Sequence, residues 1–311
     1  VTRDAAELEV AVRETGLLGS GRPVLVMVSG GRDSTCLLHL AVVIAGAGAV
    51  SALHVNYGLR EGAVLDERHC EQACERLGVP LAIERPPGPQ SGANLQAWAR
   101  EVRYRAAGQR AGGGDIAAGH TADDQLETIL YRLISSPSRR ALLGMAPRAG
   151  QLIRPLLGVS RAETTVYCRE RDLAFRDDPT NATPAYVRNR IRHELIPLLG
   201  ELHPGAEANI LALAGVLRDE QAVLDDAVET AIAGHRDVSL GHLRSLPRGL
   251  ARLAVQHLAD AALDAPAAGV ARRIDDVLSM HDDAILDLPN GVRAVTRHGV
   301  LSFERTPPLR R

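Results

Sequence analysis

Apolar runs and polar breaks alternate regularly over the first 120 positions. Val24-Leu25-Val26-Met27-Val28 is an apolar, β-branched run of strand length. It stops at Ser29-Gly30-Gly31-Arg32-Asp33-Ser34, and a helical apolar period follows at Cys36, Leu37, Leu38 and Leu40. The cycle then repeats. Positions 50–55 read as strand, 65–77 as helix, 80–84 as a short strand, 93–108 as helix, 115–119 as strand and 122–134 as helix. The 93–108 helix carries a basic, aromatic-containing face of Trp98, Arg100, Arg103, Tyr104 and Arg105. Such alternation, with loops of ordinary length, predicts an α/β fold built on a doubly wound parallel sheet. Ligands of such sheets bind at the carboxyl ends of the strands. Two of those ends carry polar groups, the 29–34 loop and His120.

From Gln151 the pattern changes. The apolar run 152–157 precedes a helix capped at Ser160, with Glu163 placed for a capping box. A polar, proline-punctuated loop covers 177–184, and an arginine-rich helix runs on to Leu199. Beyond His203-Pro204-Gly205 a helical period appears at Ile210, Leu213, Leu217, Leu224 and Val228, and 240–263 and 270–280 also read as helical. Positions 284–304 alternate around Pro289-Asn290-Gly291 and His298-Gly299, which predicts a small β meander. The expected organisation is an α/β domain over 1–200 and a mostly helical domain over 201–311 with a small terminal β element.

Composition narrows the class. The 311 residues are 45% hydrophobic and 24% charged, as in ordinary globular proteins. Aromatics are only 3%, so the core must be built from Ala, Val, Leu and Ile. No apolar stretch reaches the roughly 18 residues of a membrane span, and positions 1–12 are charged and helical in period, unlike a signal peptide. The four cysteines lack a metal or redox spacing, Cys70-x-x-x-Cys74 included, and the expected location is the cytoplasm. The net charge is −2, yet between Glu101 and Arg192 there are 15 arginines against 10 acids, while between Glu201 and Asp237 there are 8 acids against 2 arginines. A local basic face inside an acidic protein is therefore expected. The chain contains no lysine, which excludes Schiff-base chemistry and a phosphate-binding lysine.

The strand–loop–helix turn at 29–34 suits phosphate, because helix N-terminal amides point outward and the helix dipole favours an anion. It is neither a G-x-x-x-x-G-K-[ST] loop nor a G-x-G-x-x-G turn. Asp33 would repel a phosphate unless a divalent cation sat between them. The bland alternative is a glycine-rich turn with no ligand. In His120-Thr121-Ala122-Asp123-Asp124-Gln125-Leu126-Glu127-Thr128, His120, an acid and Glu127 share one face of a helix start. Thr121 with Asp124 can be a simple capping box, or the acids can form a pocket for a metal or a substrate amine. The arginines Arg188, Arg190 and Arg192 follow Asp178-Pro179-Thr180-Asn181 and cannot all share a helical face. They are either a solvated ion-paired face or contacts to an RNA backbone.

Ser-Gly-Gly-x-Asp-Ser at 29–34 resembles the pyrophosphate loop of N-type ATP pyrophosphatases. With it, in one order, stand His54-Val55-Asn56-Tyr57-Gly58-Leu59-Arg60, Ala99-Arg100-Glu101-Val102-Arg103-Tyr104, the 120–128 segment, Arg154-Pro155-Leu156-Leu157, the 178–181 segment and the 188–197 segment. Together they resemble the tRNA(Ile)-lysidine synthase family of PP-loop enzymes over about 20–200. The resemblance implies an adenine-nucleotide α-hydrolase-like fold and the cofactors ATP and Mg²⁺. It implies ligation of free L-lysine to C2 of the wobble cytidine of tRNA(Ile) with a CAU anticodon, through an adenylated base. On this resemblance, Ser29, Gly30, Gly31, Arg32, Asp33, Ser34 and Arg103 would bind ATP, with Asp33 on Mg²⁺. Asp124 and Glu127 would receive lysine, and Asp33, His120, Asp124 and Glu127 would be catalytic. Arg139, Arg140, Arg188, Arg190 and Arg192 would contact tRNA. Oligomeric state stays open, a homodimer being one option, and no membrane partner is expected.

Three departures stand out. Tyr57 replaces a histidine, Arg32 is bulkier than the family's usual residue, and Ser135-Ser136-Pro137-Ser138 replaces a glycine-rich Arg-Gly-Ser/Thr-Gly segment. Arg139 or Arg140 would then supply the missing charge. Two alternatives remain: another PP-loop tRNA-modifying enzyme, and a non-catalytic RNA-binding relative.

Overall fold

Strand β1 (Val24–Val28) is buried at every position, and its two faces feed two different cores. Val24, Val26 and Val28 pack with one cluster, Leu25 and Met27 with another. This is what a central strand covered by helices on both faces requires, since successive side chains point to opposite sides. A computed structural model describes residues 2–59, 62–89, 94–136, 138–176, 187–267 and 269–307. Its contacts divide the chain into two compact units. The first is Val1–Thr128 with Met145–Glu207, and the second is Ile129–Gly144 with Ala208–Arg311.

The first unit begins with α1 (Ala5–Glu14), β1, α2 (Arg32–Ala45), β2 (Val50–Val55), α3 (Ala63–Leu77), β3 (Leu81–Glu84) and α4 (Leu95–Arg110). It continues with β4 (Asp115–Ala117), the start of α5 (Ala122–Ser135), β5 (Arg148–Ala149), β6 (Leu152–Ile153) and α6 (Arg161–Glu170). It ends with α7 (Val187–Arg190), a π-helical turn (Ile191–Leu195) and α8 (Ile196–Leu202). The six strands lie in the order β3-β2-β1-β4-β6-β5, parallel except for the β5–β6 pair. The fold is thus α/β with a mostly parallel sheet, and the antiparallel edge corrects the all-parallel expectation. Strand order runs outward from β1 to β2 and β3 on one side and restarts at β4 on the other. The topological switch falls between β1 and β4, where ligand clefts form.

The second unit holds α9 (Ala206–Ile232, from Ala208 on), β7 (Val238–Ser239), α10 (Leu240–Ser245), α11 (Arg248–Leu263), α12 (Ile274–Leu278), β8 (Ile285–Leu288), β9 (Val292–Arg297) and β10 (Val300–Arg305). The expected small meander is a four-stranded antiparallel sheet, β7-β10-β9-β8. The expected single helix over 240–263 is two. Leu246 is extended (φ −69°, ψ 155°) before Pro247, which cannot continue a helix from the residue preceding it. Segment 129–144 is fastened within this unit by arginines. Arg139 donates to Leu217 O at 3.0 Å and pairs with Gln221 and Glu220, Arg140 pairs with Asp260, and Arg218 donates to Leu143 O at 2.8 Å.

All four cysteines are free and buried; burial pushes the Cys70 thiol up to about 12 and that of Cys74 to about 11, so they act as packed apolar groups. Among the described residues no helix is long and apolar enough to cross a membrane.

Helix α6 is pinned at its start. Ser160 and Glu163 form the expected capping box, and Arg3 Nε donates to Glu163 Oε1 at 2.6 Å. Burial acts to raise the Glu163 pKa, but the hydrogen bonds from Arg3 and Ser160 outweigh it and hold it at about 2. A depressed carboxylate stabilises the fold above its unfolded value of about 4.3 and loses that contribution as pH falls toward 2. Glu163→Gln should therefore cost about 1–3 kcal/mol at pH 7, and the deficit should vanish near pH 2. Urea unfolding across that range checks it; a pH-independent deficit would count against the assignment.

Candidate active site

The 29–34 loop is shaped by its own backbone. Gly30 has φ +81°, and a Cβ there would lie 3.3 Å from His69 Cδ2, so glycine meets two requirements at once. Ser29 N–H donates to Ser34 Oγ at 3.1 Å, and Ser34 Oγ donates to Gly31 O at 2.9 Å. The two serines thereby lock the turn. Gly31 caps α2 without a side-chain hydrogen bond, which leaves the first-turn amides to an incoming anion. Beyond β4, Gly119 lies against this turn. A Cβ on it would sit 3.2 Å from Asp33 O and 3.3 Å from Ser34 N.

Four carboxylates converge here on two arginines. Asp124 Oδ2 accepts from Thr121 N–H at 2.9 Å, while Asp124 Oδ1 faces Arg161 Nη2. Glu127 Oε1 lies 3.0 Å from Arg161 Nη1 and 2.6 Å from Arg192 Nε, and its Oε2 accepts from Arg192 Nη2 at 3.0 Å. Asp123 Oδ2 accepts the backbone N–H of Arg161 at 2.8 Å. Asp33 Oδ1 accepts from Thr164 Oγ1 at 2.6 Å, and Asp33 Oδ2 lies 3.8 Å from Arg161 Nε. Burial acts against the Arg161 charge, but Asp124, Glu127 and Asp123 outweigh it and raise its pKa. Thr121 and Asp124 form the reciprocal bonds of a capping box. One carboxylate oxygen caps the helix, and the other belongs to the acid cluster.

Of these groups, Asp33, Asp124, Arg161 and Arg192 border a cleft of about 1120 Å³ at the carboxyl ends of β1, β2 and β4. His54, Tyr57, Arg103 and His120 line its other walls. His54 Nε2, Arg103 Nε and His120 Nδ1 are buried there with no hydrogen-bond partner among the described residues. Buried polar atoms of this kind are costly unless a ligand satisfies them. Tyr57 is tied down by donating to Ala99 O at 2.9 Å, with its ring against Trp98.

A family model described as a PP-loop domain matches residues 4–199. A tRNA(Ile)-lysidine synthase of Parasynechococcus marenigrum is 32% identical over 310 residues, covering 94% of this chain and 91% of the relative. The chain belongs to the tRNA(Ile)-lysidine synthase family. Relatives of that name from Pseudomonas fluorescens (40% identical, 66% of this chain, 48% of the relative) and Geobacter sulfurreducens (37%, 77% and 55%) are longer. The chain spans about half the length of the first curated relatives it matches. Among solved structures, a U34-tRNA thiolase from Methanococcus maripaludis shares the fold, with TM-score 0.57, 18% identity, and coverage of 68% of this chain and 79% of that one.

The structure brings Ser29, Gly31, Arg32, Asp33, Ser34, Arg103, His120, Asp124 and Arg192 to the wall of this cleft; Gly30 shapes the turn, and Glu127 lies behind Arg161 and Arg192. Arg139 and Arg140 belong to the second unit and hold partners within it. Arg190 pairs with Glu194 on an exposed turn. Arg60, Pro137 and the motif residues Asp178, Pro179, Thr180 and Asn181 lie outside the described residues. For this lysidine synthase family member, sequence reasoning missed Arg161 and Thr164. The signal available was the Ser160 cap, since Arg161 is the first residue of α6 and Thr164 lies one turn later.

Burial pushes the His120 pKa down to about 4; Asp124 opposes this, and Arg154, Arg103 and Arg100 reinforce it. The imidazole is therefore neutral at pH 7. An NMR titration should place its midpoint near 4, and a midpoint above 6 would contradict this environment.

Proposed function

We propose that the chain is an ATP-dependent ligase that joins L-lysine to C2 of the wobble cytidine of tRNA(Ile) with a CAU anticodon. The observation that supports it best is that a phosphate-type loop and an acid pair meet around one guanidinium. Arg161 binds Asp124 and Glu127 while its Nε lies 3.8 Å from Asp33. In the first step the cytidine O2 attacks the α-phosphorus of ATP, and the bond to pyrophosphate breaks. The loop amides with Ser29 and Ser34 hold the leaving pyrophosphate, Arg103 contacts the nucleotide, and Arg161 and Arg192 offset charge on the α-phosphate. In the second step the lysine ε-amine attacks C2, the C2–O bond breaks, and AMP leaves. Asp124 or Glu127 holds the ammonium and takes its proton. Neutral His120 serves as a hydrogen-bonding partner for the adenylated base.

Among the described residues no group of three His, Cys, Asp or Glu side chains could by itself hold a metal. Asp33 supplies one carboxylate, which fits Mg²⁺ arriving on the nucleotide, since this ion commonly takes one or two carboxylates with phosphates and water. Bound there it would offset phosphate charge. A wobble base has to leave its stack to reach the cleft.

Release of AMP and pyrophosphate from ATP, with and without L-lysine and the CAU tRNA(Ile), tests the reading. Both products should require the tRNA. Asp33→Asn should lower turnover by about a hundredfold, and Glu127→Gln should raise the KM for lysine about tenfold more than that for ATP. Product release that ignores the tRNA, or tRNA binding with no product, would overturn it.

Arg188 and Arg190 are the arginines assigned here to RNA phosphates. The Arg190–Glu194 pair is exposed, so its exchange for a phosphate costs little. Replacing both with alanine should weaken tRNA binding and flatten its salt dependence, because fewer counterions are released. Arg192→Ala should instead lower turnover, since its guanidinium faces Glu127. An unchanged salt slope in the double variant would return Arg188 and Arg190 to a purely structural role.

A further inference from the structure

We propose that Arg161 is a shared counter-ion that couples the two substrate sites: it occupies the carboxylate seat of the amine, and the phosphates of a bound nucleotide draw it off toward the loop. The inference rests on the reading of Asp124 and Glu127 as the amine's seat.

One side chain reaches both ends of the site. Its Nη1 lies 3.0 Å from Glu127 Oε1, its Nη2 faces Asp124 Oδ1, and its Nε is 3.8 Å from Asp33 Oδ2 at the loop. Its backbone is held, because Arg161 N–H donates to Asp123 at 2.8 Å and the Ser160–Glu163 box fixes the start of α6. What remains adjustable is the guanidinium.

The two acids are not equally dependent on it. Glu127 has a second cation, with Arg192 Nε at 2.6 Å and Nη2 at 3.0 Å. Asp124 has Arg192 only at 3.8 Å, besides the Thr121 donors on its other oxygen. A swing of Arg161 toward the loop therefore releases Asp124 Oδ1, and Asp124 is the acid of the pair that lines the cleft.

An ammonium approaching Asp124 beside this guanidinium meets a like charge. A phosphate chain on the loop amides offers the guanidinium a bidentate anion instead, which is a strong and directional partner. Nucleotide binding then raises amine affinity. Linkage requires the reciprocal effect by the same factor. The order that follows is nucleotide first, amine second, so lysine does not occupy the seat before the nucleotide that activates the base is bound.

The experiment is calorimetric titration of L-lysine into the full chain in magnesium buffer, with and without α,β-methylene-ATP. The lysine Kd should fall about tenfold with the analogue, and the analogue Kd should fall by the same factor at saturating lysine. Arg161→Gln should bind lysine with one Kd in both conditions, and Arg161→Lys should keep a reduced factor. A wild-type lysine Kd indifferent to the analogue overturns the proposal, and so does an Arg161→Gln chain that keeps the full factor. Should Arg161→Gln fail to fold, the wild-type reciprocity and Arg161→Lys decide the matter. Uncoupled lysine binding removes only the role of Arg161. Lysine binding in no condition, with the analogue still bound, removes the amine seat and the proposal with it.

Discussion

The parallel pairing of β1 with β4 is the constraint on which the site depends. Val24 stands opposite Asp115 and Val26 opposite Ala117, so both strands deliver their carboxyl ends to one place. The 29–34 loop leaves one end and the 120–127 acids leave the other. Gly119 allows the closest approach, because a side chain there would press on the Asp33 carbonyl. Helix α6 then supplies Arg161 and Thr164 to groups that the strands have already assembled.

Each carboxylate of this assembly has a partner, although among these groups the acids outnumber the arginines four to two. Asp33, Asp123, Asp124 and Glu127 meet Arg161 and Arg192 in partly or fully buried positions, and an unpaired charge at such depth would cost several kcal/mol. A cluster whose members are all partnered can exchange one ionic partner for another without burying a new bare charge. That property suits a site whose ligands are themselves highly charged at both ends.

The parts of this arrangement that were legible in the sequence are those written locally. The strand–Ser-Gly-Gly turn, the acids after His120 and the Ser160–Glu163 box each depend on neighbours within a few positions, and each is found as read. Arg161 was not legible as a site residue, because its role depends on α6 lying beside α5, a tertiary fact. The partners of Arg139 and Arg140 were not legible either, because Glu220 and Asp260 lie 81 and 120 positions away. Strands of two residues such as β5 and β7 are too short to show a period.

The cations that face the cleft are guanidinium groups, and no side chain of the protein carries a primary amine. Guanidinium is a planar fork that pairs with carboxylate or phosphate through two parallel hydrogen bonds, which an ammonium does not do. Lysine acylation, a common way of silencing positive charge, has no target here. For the experimenter the same fact gives a clean background: in isotope-labelled or amine-reactive measurements, every lysine ε-amine signal belongs to the added amino acid and none to the protein.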